Sequence, residues 1–195
     1  MNNLKDFVTS DQALESRITE QLARELSADL VYHSARHTSF VIECAEFLAK
    51  AEGLSDEEVR LVRLAALYHD TGFLKGSDNH EEKSCKIAEK DLANHGLHTE
   101  EIEEVCSAIM ATKIPQRPVN SIGKVLADAD LFYLGTDRYA ELSERLYAEL
   151  KNFNPRLTDA QWLKIQRDFL AGHRYHTRYG REVLEPVKQE NLRKL

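Results

Sequence analysis

The sequence has few of the residues that build turn-rich folds or covalent frameworks. Its 195 residues include only 8 glycines and 4 prolines, which argues against an all-β sandwich or barrel with many turns. The three cysteines show no paired spacing, so we expect reduced, buried thiols in a cytoplasmic protein and no disulfide framework. No apolar run approaches the length of a membrane span, and the first residues lack the apolar core of a signal peptide.

Basic residues are also in the minority. Lysine and arginine total 26 against 33 acidic residues, which gives a formal net charge of -7. Because no basic block offsets this balance, we expect neither a membrane nor stably bound nucleic acid as a partner. A homo-oligomer stays open, since the amphipathic tail over 181–195 can pack on its own chain or on a second copy.

The spacing of apolar residues is helical almost throughout. It predicts a first helix that begins at Ser10 or Asp11, and a third helix opened by a capping box of Ser55 and Glu58. No segment alternates as a strand would. The sequence therefore predicts an all-α fold, with residues 1–195 forming one compact multi-helix bundle. Further helices are expected over 35–52, 79–95, 99–111, 121–136, 137–152, 158–171 and in the tail.

The third helix ends in two ionisable residues, although it is apolar on nearly every face. A helix of this pattern is buried, and it leads directly into His69 and Asp70. Unpaired charges are rarely buried, because removing them from water is costly unless they are paired or bind a metal. These two residues therefore need a partner inside the protein.

Two other helices bring ionisable groups to the interior. His33 and His37 point to the apolar side of the second helix, although each alone would ordinarily be read as a hydrogen-bonded core histidine. On the helix at 121–136, the angle about the helix axis can be counted from the centre of the inward face. Asp130 lies about 80° from that centre, and Asp128 lies about 120° from it in the opposite direction. We therefore expect Asp130 to point inward and Asp128 to be solvated or to support the site.

Two histidines and two aspartates form a mixed nitrogen and oxygen set that suits a divalent metal. Two carboxylates formally neutralise the cation, and four ligands on an octahedral ion leave two positions for water and substrate. The absence of thiolates argues against a structural zinc site. We expect one divalent ion, with Mn, Mg, Fe, Ni, Co and Zn all open.

The order His37, His69-Asp70, Asp130 resembles the H…HD…D signature of the HD-domain metal-dependent phosphohydrolases. The local strings Ala65-Ala66-Leu67-Tyr68-His69-Asp70-Thr71-Gly72 and Ala127-Asp128-Ala129-Asp130 match as well. The resemblance covers roughly 28–135, the motif-bearing core, and leaves 136–195 as a helical C-terminal extension. It implies that His37, His69, Asp70 and Asp130 bind the metal, and that Asp70 orients the attacking water as a general base.

The string Tyr32-His33-x-x-x-His37 is similar to the cyclic-nucleotide phosphodiesterase branch of this family. In that branch the histidine at the position of His33 protonates the leaving group. His33 lies one turn from His37 and has a near-neutral ordinary pKa, which fits a general acid. The alternative is a supporting or packing histidine.

The sequence departs from relatives that hold two or three metals. The helix at 99–111 has no His-His pair, so we expect one metal, with His80 as a substrate contact or a weak ligand of a second site. Lys75, Lys113 and Arg117 follow neighbouring helices and are candidates to bind phosphate, although each alone is ordinarily a solvated surface charge.

The resemblance implies hydrolysis of a phosphate ester, a phosphomonoester or a phosphodiester, of a nucleotide or a similar small phosphorylated metabolite, by metal-activated water. The alternative function is a catalytically silent nucleotide sensor or scaffold with the same fold. A di-iron oxygenase would need more histidine and carboxylate ligands than the sequence offers.

Overall fold

The computed structural model describes the backbone of residues 4–195 and the side chains of residues 10–195; the chain's first three residues, part of the segment without a signal-peptide core, lie outside it. The described residues form nine α-helices and no strand, which confirms the all-α prediction. Short 3₁₀ helices cover Thr71–Lys75 and Phe132–Gly135, and a π-helical turn covers Gly180–Leu184. The α-helices are α1 (Leu4–Glu25), α2 (Ala35–Ala51), α3 (Asp56–Tyr68), α4 (His80–Asn94), α5 (Thr99–Ala111), α6 (Ser121–Asp130), α7 (Tyr139–Phe153), α8 (Asp159–Gly172) and α9 (Glu185–Lys194).

Helix α3 lies at the centre of the larger hydrophobic core. It packs against α2, α5 and α6, and its residues from Leu64 to Tyr68 are all buried, as the sequence predicts. Each fully buried leucine contributes roughly 1.5–3 kcal/mol of hydrophobic stabilisation. This packing fixes the position at which α3 ends and therefore the position of the two residues that follow it.

Capping residues set most helix boundaries. Ser55 and Glu58 form the expected capping box at the start of α3, and the hydroxyl of Ser34 accepts a hydrogen bond from the N–H of His37 at the start of α2. After α4, Gly96 adopts a positive φ of 92°, the left-handed conformation in which glycine commonly stops a helix.

The expected start of α4 is observed, since Asn79 directly precedes its first residue, although in a left-handed conformation without a side-chain capping bond. Two other predicted boundaries are wrong. Helix α1 begins at Leu4, so Ser10 and Asp11 lie inside it; Asp11 instead binds Arg60. Helix α6 ends at Asp130, because the chain tightens there into a 3₁₀ helix that packs against the C-terminal segment.

The C-terminal third forms a second, smaller core with the segment before α2. Tyr32, Tyr133, Tyr139, Leu170 and Tyr175 are buried in it. Helices α7 and α8 therefore stand beside the end of α6, where Asp130 lies.

Asp128 joins α6 to the C-terminal segment. Its carboxylate is buried and accepts hydrogen bonds from the N–H of His176 (2.9 Å) and from the N–H and hydroxyl of Thr177 (2.8 and 2.6 Å). The expectation of a solvated Asp128 is wrong. Counting residues along α6 puts Asp128 on an outward face, but residues 176 and 177 of the C-terminal segment cover that face.

The described residues contain neither a disulfide nor a helix suited to a bilayer. All three cysteines are free; Cys44 and Cys85 are buried, whereas Cys106 is half-buried. Over the described residues, no helix combines the length and the apolar character needed to cross a bilayer.

Candidate metal centre

Four side chains from three helix ends converge on one point inside the protein. His37 lies in the first turn of α2, His69 and Asp70 follow α3, and Asp130 is the last residue of α6. The Nε2 atoms of His37 and His69 are 3.3 Å apart. Oδ1 of Asp130 is 3.1 Å from the first nitrogen and 3.6 Å from the second. Oδ2 of Asp70 is 3.5 and 3.2 Å from the same two atoms.

Oδ2 of Asp70 is buried and has no hydrogen-bond partner among the described residues. An unsatisfied buried carboxylate oxygen is costly, yet two imidazole nitrogens lie close to it without the alignment of hydrogen bonds. This arrangement is expected when the oxygen and the two nitrogens all point to a common centre and the oxygen does not hydrogen-bond to either nitrogen.

The spacing of the four atoms fits a divalent cation. Bonds of about 2.1 Å place adjacent ligands about 3.0 Å apart in octahedral and about 3.4 Å apart in tetrahedral geometry. The observed distances between the two imidazole nitrogens, and from these nitrogens to the carboxylate oxygens, run from 3.1 to 3.6 Å. The cluster of His37, His69 and Asp70 can therefore hold a metal ion, and Asp130 is placed to join it.

Three hydrogen bonds hold the turn after α3 in this position. Nδ1 of His69 is 2.7 Å from the carbonyl oxygen of Ala66, which can only accept, so Nδ1 carries a proton and Nε2 is the nitrogen that faces the cluster. The hydroxyl of Ser84 donates to the carbonyl of His69 (2.6 Å) and accepts from the N–H of Gly72 (2.8 Å). Ser84 was not predicted, because serine alone carries no sequence signal for this role.

The charges of the cluster favour ionised carboxylates. Burial opposes ionisation of Asp70, but His69 outweighs it and holds the pKa of Asp70 below its ordinary value. The pKa of Asp130 is lowered in the same way against burial, by hydrogen bonds to His37 and His69. For His69, burial opposes protonation, whereas the charge of Asp70 raises its pKa well above the usual value. Ionised carboxylates are the form that binds cations.

Comparison with known protein families gives the same assignment as the residue pattern. The HD-domain family matches residues 17–133, which contain all four converging side chains. The chain belongs to the HD-domain family. Helices α7, α8 and α9 lie outside the matched part of this HD domain.

Comparisons with individual proteins add a likeness of fold. The crystal structure of a predicted HD superfamily hydrolase from an uncultured Thermotogales bacterium is similar, with a TM-score of 0.56 and 22% sequence identity. The likeness covers 80% of this chain and 91% of that chain. A search of curated proteins finds no significant match.

His33 of this HD domain is fixed by a residue from outside the matched part. Oε2 of Glu149 in α7 accepts hydrogen bonds from the N–H groups of Tyr32 (2.8 Å) and His33 (3.0 Å), while Oε1 contacts Nδ1 of His33. Burial lowers the pKa of His33, but the bond to Glu149 and the charge of Asp70 raise it overall. Sequence reasoning missed Glu149, which is separated from His33 by 116 positions.

His80 lies beside the cluster and close to His33. The ring of Phe73 stacks on both imidazoles, with centroid distances of 4.5 Å to His33 and 4.2 Å to His80, and the two imidazole centroids are 6.3 Å apart. Nε2 of His80 is 3.7 Å from Oδ1 of Asp70 and 3.6 Å from Oε1 of Glu81. The predicted position of His80 near the site is therefore observed, whereas its role stays a prediction.

The three predicted basic residues are not brought to the site. Lys113 pairs with Glu82 at 2.5 Å, and Arg117 is exposed on the loop before α6. Lys75 faces a groove lined by α1 and α4 residues, away from the cluster. Lys113 and Arg117 lie outside regular helices as expected, whereas Lys75 is the last residue of a 3₁₀ helix; none of the three lines the cavity beside the cluster.

A cavity of about 270 Å³ opens beside the cluster. Asp70, Asp130, His33 and His80 line one end of it, and the rest extends between α7 and α8. The candidate metal centre is therefore accessible to a small molecule from the side of the C-terminal third.

Proposed function

We propose that this HD domain is a divalent-metal-dependent phosphohydrolase that cleaves a small phosphate ester. The observation that supports this most strongly is the approach of His37 and His69 to the unpartnered Oδ2 of Asp70, with Asp130 beside both imidazoles. In the proposal His37, His69, Asp70 and Asp130 hold one metal ion.

A divalent cation supplies two kinds of chemistry to hydrolysis: it lowers the pKa of water and it polarises a phosphoryl oxygen. Of the four ligands, Asp70 also has a second oxygen, Oδ1, which lies toward His80. In the proposal this oxygen orients the attacking water as a hydrogen-bond acceptor and general base.

His33 is the proposed general acid. Hydrolysis forms one P–O bond to the oxygen of water and breaks the P–O bond to the alcohol, which takes up a proton as it leaves. Glu149 occupies Nδ1 of His33, so Nε2 is the nitrogen that can give this proton. Against the effect of burial, the bond to Glu149 and the charge of Asp70 raise the pKa of His33, which favours the protonated form that a general acid requires.

From the sequence we expect the substrate to be a nucleotide or a similar phosphorylated metabolite. The proposed function commits only to the phosphate ester, because the organic part of the substrate is selected by the cavity.

The proposal is tested by hydrolysis of a panel of phosphate monoesters and diesters by Mn²⁺-loaded protein. We expect the wild type to release phosphate, and His69→Ala and Asp70→Asn to lose this activity. The matched controls are His98→Ala and Asp168→Asn, both exposed positions, which should retain it. Undiminished turnover in both site variants rules the mechanism out, whereas tight binding without turnover in excess metal favours the silent sensor.

A further inference from the structure

The cavity beside the metal centre has two chemically different ends. The polar end carries Asp70, Asp130, Glu81, His33 and His80; the other end, between α7 and α8, is walled mainly by hydrocarbon. The walls of this apolar end include Leu134, Leu146, Leu150, Trp162, Phe169 and Leu170. A ligand that places its phosphate at the polar end must place the remainder against these side chains.

Three polar side chains of the apolar end, Tyr139, Ser143 and Gln166, bond to one another through one oxygen of Gln166. Oε1 of Gln166 accepts hydrogen bonds from the hydroxyls of Tyr139 (2.7 Å) and Ser143 (2.5 Å). A ribose or a nucleobase brings several donors and acceptors, and enclosing them against leucine and phenylalanine without partners is costly. The walls therefore disfavour a nucleoside and favour a hydrocarbon group.

Positive charge in the cavity is limited as well. Among the described residues that line it, none is lysine or arginine. Arg36, Arg138 and Arg145 line a neighbouring cavity of about 40 Å³, which includes the proposed ligand His37 and shares Tyr32 and Tyr133 with the large cavity. In the large cavity one phosphate group can meet a divalent cation and the nearby histidines, whereas the further phosphates of a diphosphate or triphosphate placed there would lie beside Glu81 or hydrocarbon without a cation.

We infer that the substrate is the ester of a single phosphate group with an apolar alcohol, and that the hydrocarbon part occupies the cavity between α7 and α8. This inference rests on the proposed function and names its substrate class. A volume of 270 Å³ accommodates about nine groups of the size of a water molecule or a methylene. The helices that follow the matched family segment thus determine the specificity of the centre.

Trp162 makes the inference testable without turnover, because it is the chain's one tryptophan and lines the cavity. Mg²⁺-loaded protein is titrated with n-alkylphosphonates of two, four, six and eight carbons, whose P–C bond is not hydrolysed, while the emission of Trp162 is followed. We expect Kd to fall about fourfold with each added methylene. AMP should bind more weakly than octylphosphonate by more than about tenfold.

Two matched variants on α7 test whether the alkyl chain binds in the large cavity. Leu146→Asn places an amide in the cavity wall and should flatten the chain-length dependence. Leu142→Asn, one turn earlier on α7, faces the other cavity and should retain it. A Kd that is independent of chain length in the wild type, or AMP binding tighter than octylphosphonate, overturns the inference without recourse to any variant.

The failure of this inference can be told from the failure of the proposed function. If only nucleoside monophosphates are hydrolysed and the alkylphosphonates do not bind, the phosphohydrolase stands and the apolar substrate is wrong. If the alkylphosphonates bind with the expected dependence and none of the corresponding alkyl phosphates is hydrolysed, the cavity assignment stands and the phosphohydrolase proposal fails.

Discussion

The carboxylate of Glu149 contacts both the backbone N–H and the imidazole ring of His33. Oε2 of the carboxylate accepts the N–H of His33 at 3.0 Å, and Oε1 contacts Nδ1 of the same residue. Helix α7, which supplies Glu149, lies outside the part of the chain matched by the HD-domain family. The C-terminal third is therefore joined directly to the residue that we propose as the general acid.

The first prediction concerns the pH dependence of hydrolysis. Glu149→Gln removes the charge that raises the pKa of His33, so that pKa should fall. A general acid acts while protonated, and the rate declines as pH rises through its pKa. The alkaline limb of the kcat/KM profile should therefore move to lower pH in Glu149→Gln. Glu144→Gln, an exposed position on the same helix, is the control, and an unmoved limb in Glu149→Gln contradicts the role of His33.

The second prediction concerns Asp128, which fastens the C-terminal segment to α6. Asp128→Asn replaces one acceptor oxygen by a donor that faces the N–H groups of His176 and Thr177, and should lower the free energy of unfolding by about 1–3 kcal/mol. Urea denaturation measures this change. Asp168→Asn, an exposed position, should shift the midpoint little; equal effects of the two substitutions would show that the buried hydrogen bonds of Asp128 are unimportant.

The third prediction concerns the turn after Asp70. A Cβ atom at Gly72 would lie 1.9 Å from the carbonyl oxygen of His80, so Gly72→Ala forces the turn and α4 apart. We expect a loss of about 1–3 kcal/mol in unfolding free energy together with weaker metal binding. Gly172→Ala, where a Cβ meets nothing within 4 Å, is the control. Equal stability of the two variants in urea denaturation contradicts this account of the turn.

The fourth prediction concerns Lys113. Its pairing with Glu82 and its position outside the cavity lining imply that Lys113→Ala leaves kcat/KM within about twofold of the wild type. Steady-state kinetics with a single phosphate monoester measures this. A loss of more than about tenfold would mean that Lys113 reaches the substrate and that the polar end of the cavity includes this loop.

Local signals predicted the features that depend on neighbouring residues. The capping box of Ser55 and Glu58 and the left-handed Gly96 act within one turn, so sequence alone locates them. The order of His37, His69, Asp70 and Asp130 was read from the family resemblance, and the structure brings these four side chains together. Their binding of a metal stays a prediction.

The sequence did not predict features that depend on contacts between distant segments. The burial of Asp128 is decided by residues 176 and 177, and the orientation of His33 by Glu149. Helical periodicity gives the direction of a side chain relative to its own helix, but not which later segment covers it. For the same reason the sequence did not predict which groove Lys75 faces.

The number of metal ions per chain tests the central claim most directly. Protein incubated with Mn²⁺ and freed of unbound metal by gel filtration is examined by elemental analysis, for the wild type, His69→Ala, Asp130→Asn and the control His98→Ala. The account predicts about one ion per chain in the wild type and the control, and a large loss in both site variants. Full metal content in His69→Ala and Asp130→Asn would contradict it.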